Sequence, residues 1–219
     1  ISGILGLGNL VTTNSSACCT GTEAIITGFE RIQSGKAKRM LVGGCSDDGP
    51  YLWGGFDAMK VITYKHNNTP EKASRPMSAT ASGFVPGSGA GAILLESLTS
   101  ATERGAKIYG EIVGGAMNAG GQRGTGSMTA PNNEAVQRCI KSAVENAGIN
   151  ADEIDLINGH LTATIKDAAE INNWSVALNR KGNDFPYIHS LKSMTGHCLG
   201  AAGAIESVAA VLGLYHGFI

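Results

Sequence analysis

Thirty-one glycines punctuate this chain of 219 residues, and they separate short apolar segments rather than gathering into one low-complexity block. A residue without a Cβ lets backbone approach backbone, so the pattern calls for close packing at element junctions rather than for disorder. Between the glycines the hydrophobic period changes repeatedly. Ile25, Phe29 and Ile32 recur at helical spacing, with Gly35 where a C-terminal cap would stand, which predicts a helix over residues 20–34. Met40, Leu41 and Val42 read as a short buried strand, and residues 47–72 as a long loop carrying Trp53 and Phe56.

Residues 90–95 form a second apolar run, followed by a short charged helix and a β-like run over residues 107–113, the two runs reading as adjacent strands. Asn132 or Asn133 caps a helix whose Val136, Ile140, Ala143 and Val144 share a face, and residues 154–157 return as a strand. Ile205, Val208, Leu212 and Tyr215 line one face of a last helix. Alternating strands and helices with tight junctions give a layered α/β fold. No fixed short period marks a solenoid.

With 42% hydrophobic and 16% charged residues, the chain can bury a core of one large domain or two small ones. A net charge of −1 carries no polyanion-binding signature, and no uninterrupted apolar run reaches bilayer length, so neither nucleic acid nor membrane is an expected partner. The cysteines are Cys18, Cys19, Cys45, Cys139 and Cys198, an odd set without framework spacing. No signal-peptide pattern opens the chain, and a reducing, cytoplasmic setting is expected. Ile1 stands where an initiator methionine is absent, as at an interior point of a longer chain.

Chemistry concentrates at three places. Residues 10–14 are β-rich and lead into Ser15-Ser16-Ala17-Cys18-Cys19-Thr20-Gly21, placing Cys18 at a strand-to-helix junction. There the unpaired N–H groups and positive dipole end of the helix favour thiolate over thiol. His160, in Asn158-Gly159-His160-Leu161-Thr162-Ala163-Thr164, and His197, in Lys192-Ser193-Met194-Thr195-Gly196-His197, each follow a strand, where α/β sheets usually bind ligands. A thiol with two imidazoles supplies a nucleophile, proton handling and donors to an oxyanion. The competing readings are an inert small hydrophobe for Cys18 and structural imidazoles. Zinc is disfavoured because Cys18 and Cys19 are vicinal. The glycine-rich run at residues 83–91 lacks the Lys-Ser/Thr ending of a phosphate loop, and no Gly-x-Ser-x-Gly elbow is present.

Taken in order, Ser16-Ala17-Cys18 with Gly21, Gly55-Phe56, Ser74-Arg75-Pro76, Gly83-Phe84-Val85 with Gly89-Ala90-Gly91, Asn158-Gly159-His160, and Lys192 to His197 with Gly200-Ala201-Ala202-Gly203 form a specific set. This set resembles the β-ketoacyl-acyl carrier protein synthases, elongating condensing enzymes of the thiolase-like superfamily. The resemblance implies a thiolase-like layered αβαβα architecture, here partial and lacking N-terminal and C-terminal strands. Residues 1–105 would belong to the half carrying the nucleophile and residues 106–219 to the half carrying the histidines.

It implies that Cys18 accepts an acyl group from the phosphopantetheine of acyl carrier protein, and that His160 and His197 serve decarboxylation of a malonyl donor. Thr162 and Thr164 would bind the pantetheine arm, and Lys192 would pair with Glu206 to support the histidine region. Phe56 would line the acyl pocket, with ordinary core as its alternative role. Lys60 would meet the acidic carrier protein, or else be a solvated side chain. No metal or redox cofactor is implied, and the expected assembly is a homodimer or ketosynthase heterodimer.

Two departures stand out. Leu161 occupies a position where the family has glycine, and the segment before Asp167 is one residue short. Either Leu161 is strained at a positive φ or the position never needed one. By the same resemblance about half of a family member lies outside this chain, including a glycine-rich turn that completes the oxyanion hole. Losing one such donor typically costs about a hundredfold or more in rate, so the chain alone is expected to be inactive or weakly active, as a fragment or one piece of an assembly. The alternative functions are a non-catalytic partner subunit and a thiolase-like coenzyme A acyltransferase.

Overall fold

In the computed structural model, which describes residues 1–47, 49–121 and 132–218, the helices in chain order are α1 (Ser2–Leu5), α2 (Thr20–Gln33), α3 (Pro50–Ala58), α4 (Leu98–Glu103), α5 (Asn133–Ala147), α6 (Asp167–Leu178), α7 (Lys192–Thr195) and α8 (Ala202–His216). The strands are β1 (Arg39–Ser46), β2 (Gly89–Glu96), β3 (Leu156–Asn158) and β4 (Tyr187–His189). The chain divides into two units, one of residues 1–46, 88–111 and 199–219, the other of residues 47–87 and 112–198.

In the first unit, β1 and β2 pair antiparallel from Arg39 opposite Glu96 to Ser46 opposite Gly89. At one end Glu96 receives Arg39 at 2.5 Å and Arg104 at 2.6 Å. Helix α2 follows the expected period, burying Ile25, and Gly35 takes a left-handed φ of 72° just beyond it. Helix α8 approaches both α2 and β2 at Ala204. A Cβ on Gly21 would lie 2.6 Å from the Ala204 nitrogen, and one on Gly91 would lie 2.7 Å from its carbonyl carbon. Both contacts are to backbone, so only glycine admits the helix at this depth.

Ile205, Val208, Leu212 and Tyr215 all lie on α8, as their period predicts. The buried positions of α8 are Ala202, Gly203 and Ala204, while Leu212 and Tyr215 are exposed. Residues Leu199–His216 form an 18-residue helical stretch of mean hydropathy 1.3, enough by length and composition to cross a membrane. Glu206 interrupts it, and its first turns pack as a core helix does.

Two expected strands do not form. Residues 10–14 and 107–113 are irregular, with Val11 63% and Ile108 50% exposed. A β-rich composition becomes a strand only when a neighbour satisfies its N–H and C=O groups, and β2 takes β1 as its partner. The long loop expected over residues 47–72 instead contains α3, with Gly49 as cap and Pro50 in its first turn. Proline reads as a breaker in a sequence but is well suited to that position, where no N–H is needed.

In the second unit, β3 and β4 run parallel, with Leu156 opposite Tyr187 and Asn158 opposite His189. Helix α6 lies between them in sequence. Its Leu178 joins Ile140 of α5 and Ile157 of β3 in a core flanked by Val136, Val144, Trp174 and Ile188. The Asn132 side chain caps α5, accepting the Ala135 N–H at 3.3 Å. The consequence for chemistry is positional: His160 leaves β3 two residues beyond its end, and Lys192 and His197 follow β4.

Candidate active site

Cys18 belongs to the first unit. Cys18 is the middle residue of a single 3-10 turn, Ala17–Cys19, which runs directly into α2. The junction is therefore loop-to-helix, not strand-to-helix. Ala17 adopts a φ of 49°, a left-handed conformation that costs a residue with a Cβ about 1 kcal/mol or more. The Cys19 N–H donates to the Ser16 carbonyl at 3.0 Å and closes the turn. No side chain caps the start of the turn or of α2. Cys18 is half-buried and Cys19 exposed. Glu206, on α8, is half-buried in the same unit.

Both histidines belong to the second unit. His160 and His197 meet edge to face, with ring centroids 5.0 Å apart and planes at 82°. Phe84 packs perpendicular to His197 at 5.2 Å, and Phe56 packs on Phe84 at 5.2 Å in turn. Phe56 thus stands two rings from the imidazole pair. The His197 backbone is fixed on both sides: its N–H donates to the Val85 carbonyl at 2.7 Å, and its carbonyl accepts the Gly87 N–H at 3.0 Å.

Lys192, 2% exposed, is held through its backbone. Its carbonyl accepts the Ser74 hydroxyl, and its N–H donates to the Ser190 hydroxyl at 3.3 Å. Its positive charge reaches both imidazoles. For His197, 2% exposed, burial above all, with His160 and Lys192, brings the pKa down to about 2. His160 keeps a solvent-exposed edge, yet the surrounding protein mass, followed by Lys192, brings its pKa down to about 3. At neutral pH both rings are therefore neutral, each offering one N–H donor and one acceptor nitrogen.

The loop after His160 is organised by two carboxylates that the sequence reading did not single out as site residues. Glu170 accepts the His160 N–H at 2.6 Å and the Leu161 N–H at 2.8 Å. Burial raises its pKa, opposed by those two donors and by Lys192. Asp167 accepts the N–H groups of Thr162 at 3.0 Å, Thr164 at 3.3 Å and Met77 at 2.9 Å. The signal available in the sequence was two acids three residues apart at a helix start, where the dipole favours them.

Leu161 itself is unstrained. The left-handed residue of this loop is Ala163, with φ 62°, and Leu161 has no positive φ. Its side chain is 0% exposed and packs on Gly159, whose Cβ, were it present, would meet Leu161 at 2.9 Å. The position thus never required the glycine. The Thr162 and Thr164 hydroxyls lie 3.2 Å apart, paired as a polar edge of the same loop. Lys60 is exposed just past the end of α3, with a φ of 56°.

Residues 1–101 match the family model for the beta-ketoacyl synthase N-terminal domain, and residues 109–219 the one for the beta-ketoacyl synthase C-terminal domain. The 3-oxoacyl-[acyl-carrier-protein] synthase 1 of Haemophilus influenzae is 40% identical over 205 residues, covering 94% of this chain and 48% of the relative. The chloroplastic synthase I of Arabidopsis thaliana is 37% identical over 209 residues, covering 94% and 43%.

Among solved structures, a type II PKS ketosynthase in complex with its acyl-carrier protein superposes with a TM-score of 0.89 at 33% identity, over 97% of this chain and 52% of the other. A beta-ketoacyl synthase from Burkholderia phymatum gives 0.87 at 33%, over 97% and 50%. The chain thus spans about half the length of the curated relatives it matches.

Proposed function

Since this chain belongs to the β-ketoacyl synthase family, we propose that it carries the reacting side chains of a decarboxylative Claisen condensation. The Cys18 thiolate attacks an acyl thioester on the phosphopantetheine of an acyl carrier protein, takes the acyl group and expels the carrier thiolate, which takes up a proton. A malonyl thioester on a second carrier then loses carbon dioxide, and the electron pair of the broken C–C bond becomes an enolate. His160 and His197, as neutral N–H donors, stabilise the enolate oxygen where charge develops. The enolate carbon attacks the Cys18 thioester and the sulfur leaves as thiolate. Thr162 and Thr164 hold the pantetheine arm, Phe56 lines the acyl path, and Lys60 meets the acidic carrier. Lys192 supports the histidines.

The observation that supports this reading above others is the perpendicular imidazole pair kept neutral beside a buried ammonium. A proton shuttle would place its pKa nearer the working pH, whereas paired donors to an oxyanion gain from staying neutral. The test uses two half-reactions of the 219-residue chain. Intact-mass measurement after incubation with an acyl-loaded carrier protein is expected to show the acyl adduct, absent in Cys18→Ala. His160→Asn and His197→Asn are expected to keep the adduct and lose carbon dioxide release from the malonyl-loaded carrier. Adduct formation in Cys18→Ala would remove the nucleophile assignment.

A further inference from the structure

The turn that presents Cys18 is held from outside itself. Ala17 is left-handed, and neither helical start has a side-chain cap, so local propensity does not account for its shape. The hold comes from Glu23, in the first turn of α2. One carboxylate oxygen, Oε2, accepts both the Ser16 hydroxyl, immediately before the turn, and the Asn14 side-chain amide at 2.8 Å. The Asn14 amide also donates to the Thr20 carbonyl at 3.1 Å. Thr20 completes the frame, its hydroxyl accepting the Ser16 N–H at 2.9 Å and donating to the Ala17 carbonyl at 2.7 Å. The segment entering the turn and the helix leaving it are thereby joined through a single carboxylate.

We propose that Glu23 is a positioning residue for the Cys18 thiol, acting through Ser16 and Asn14 to keep Ala17 in its left-handed conformation. The inference deepens the assignment of Cys18 as nucleophile and rests on it for its functional meaning. Without the carboxylate, Ala17 relaxes toward an ordinary φ and the thiol leaves the helix end, where thiolate is favoured. The role belongs to the acceptor oxygen and not to the charge. A negative charge at a helix start close to the thiol disfavours thiolate, so removing the charge alone would speed the sulfur rather than slow it.

The experiment is iodoacetamide alkylation of the chain near neutral pH, read by tandem mass spectrometry at each cysteine. The buried Cys198, 3% exposed, reports on the integrity of the fold. Glu23→Ala is expected to slow Cys18 about fivefold, the worth of one typical hydrogen bond, with Cys198 still protected. Glu23→Gln keeps an oxygen for Ser16 and Asn14, and is expected to react within twofold of the wild type or faster. Glu23→Ala within twofold of the wild type, or Glu23→Gln as slow as Glu23→Ala, overturns the proposal. Should Glu23→Ala expose Cys198, Ser16→Ala is judged by the same thresholds. Because alkylation needs no carrier protein, failure of acyl loading with this order intact would fault the condensation chemistry and leave the positioning role standing.

Discussion

Asp167→Ala removes the acceptor on which the loop between His160 and α6 depends. The carboxylate receives three backbone N–H groups, from Met77, Thr162 and Thr164, at 2.9, 3.0 and 3.3 Å. Asp167 is buried, Thr162 and Thr164 are half-buried, and Met77 is exposed. A hydrogen bond to a charged group contributes about 1.5 to 3 kcal/mol. Discounting the long Thr164 bond and the exposed Met77, the three together are worth about 3 to 4 kcal/mol. Asp167→Asn keeps one oxygen for Thr162 and Thr164 but turns an NH₂ toward the Met77 N–H, and should cost about half as much. The assay is urea unfolding followed by tryptophan fluorescence, since Trp53 and Trp174 both lie in the second unit. If Asp167→Ala falls within about 1 kcal/mol of the wild type, or Asp167→Asn costs as much as Asp167→Ala, the loop is not held by this carboxylate in the way described.

The same unit should weaken as pH falls from about 7.5 to about 5.5. The folded pKa of His197 lies far below its ordinary 6.5, so the unfolded chain takes the proton first; the stability is present above 6.5 and lost as pH falls toward the folded value. One pH unit below 6.5 the loss is about 1.4 kcal/mol from His197. His160 acts in the same direction. Glu170, whose pKa burial raises, contributes with the opposite sign: its stability is present below 4.5 and lost as pH rises through its folded value, so it offsets part of the histidine loss. A urea midpoint unchanged over the interval, or an equal fall in His197→Asn, would contradict the assignment. In the loop itself, Gly159→Ala should destabilise by about 1 to 3 kcal/mol through overpacking against Leu161, and Leu161→Ala by about 2 to 5 kcal/mol through its cavity. The double variant should cost less than the sum, since the smaller side chain vacates the space the new methyl needs; strict additivity in denaturant titrations would separate the two residues.

Which features the sequence disclosed follows from how far each depends on neighbours. Helices α2 and α5 were legible because an apolar stripe, Ile25 with Phe29 and Ile32, or Val136 with Ile140 and Val144, and a cap such as Asn132 are local properties. The placement of both histidines beyond strand ends was legible because the apolar run before each is itself local. The β-like runs at residues 10–14 and 107–113 misled because a ladder needs a second strand, and the depth at which α8 packs was not legible because Ala204 is set by Gly21 and Gly91, far away in sequence.

The loop after His160 shows the same division at the scale of single residues. A leucine at position 161 suggests strain only if the backbone must turn there, and the turn is made two residues later. Asp167 Oδ1 binds the amides on either side of Ala163, those of Thr162 and Thr164, while the Ala163 carbonyl accepts the Gly83 N–H at 2.9 Å. A left-handed alanine costs about 1 to 2 kcal/mol, which two charge-assisted bonds exceed. The carboxylate therefore holds the positive φ of this loop at residue 163, and residue 161, which has none, is free to be large. Leu161 then fills the interior beneath Gly159 as His160 turns to meet His197, so that a large packing residue and one ring of the imidazole pair are neighbours in one loop without conflict.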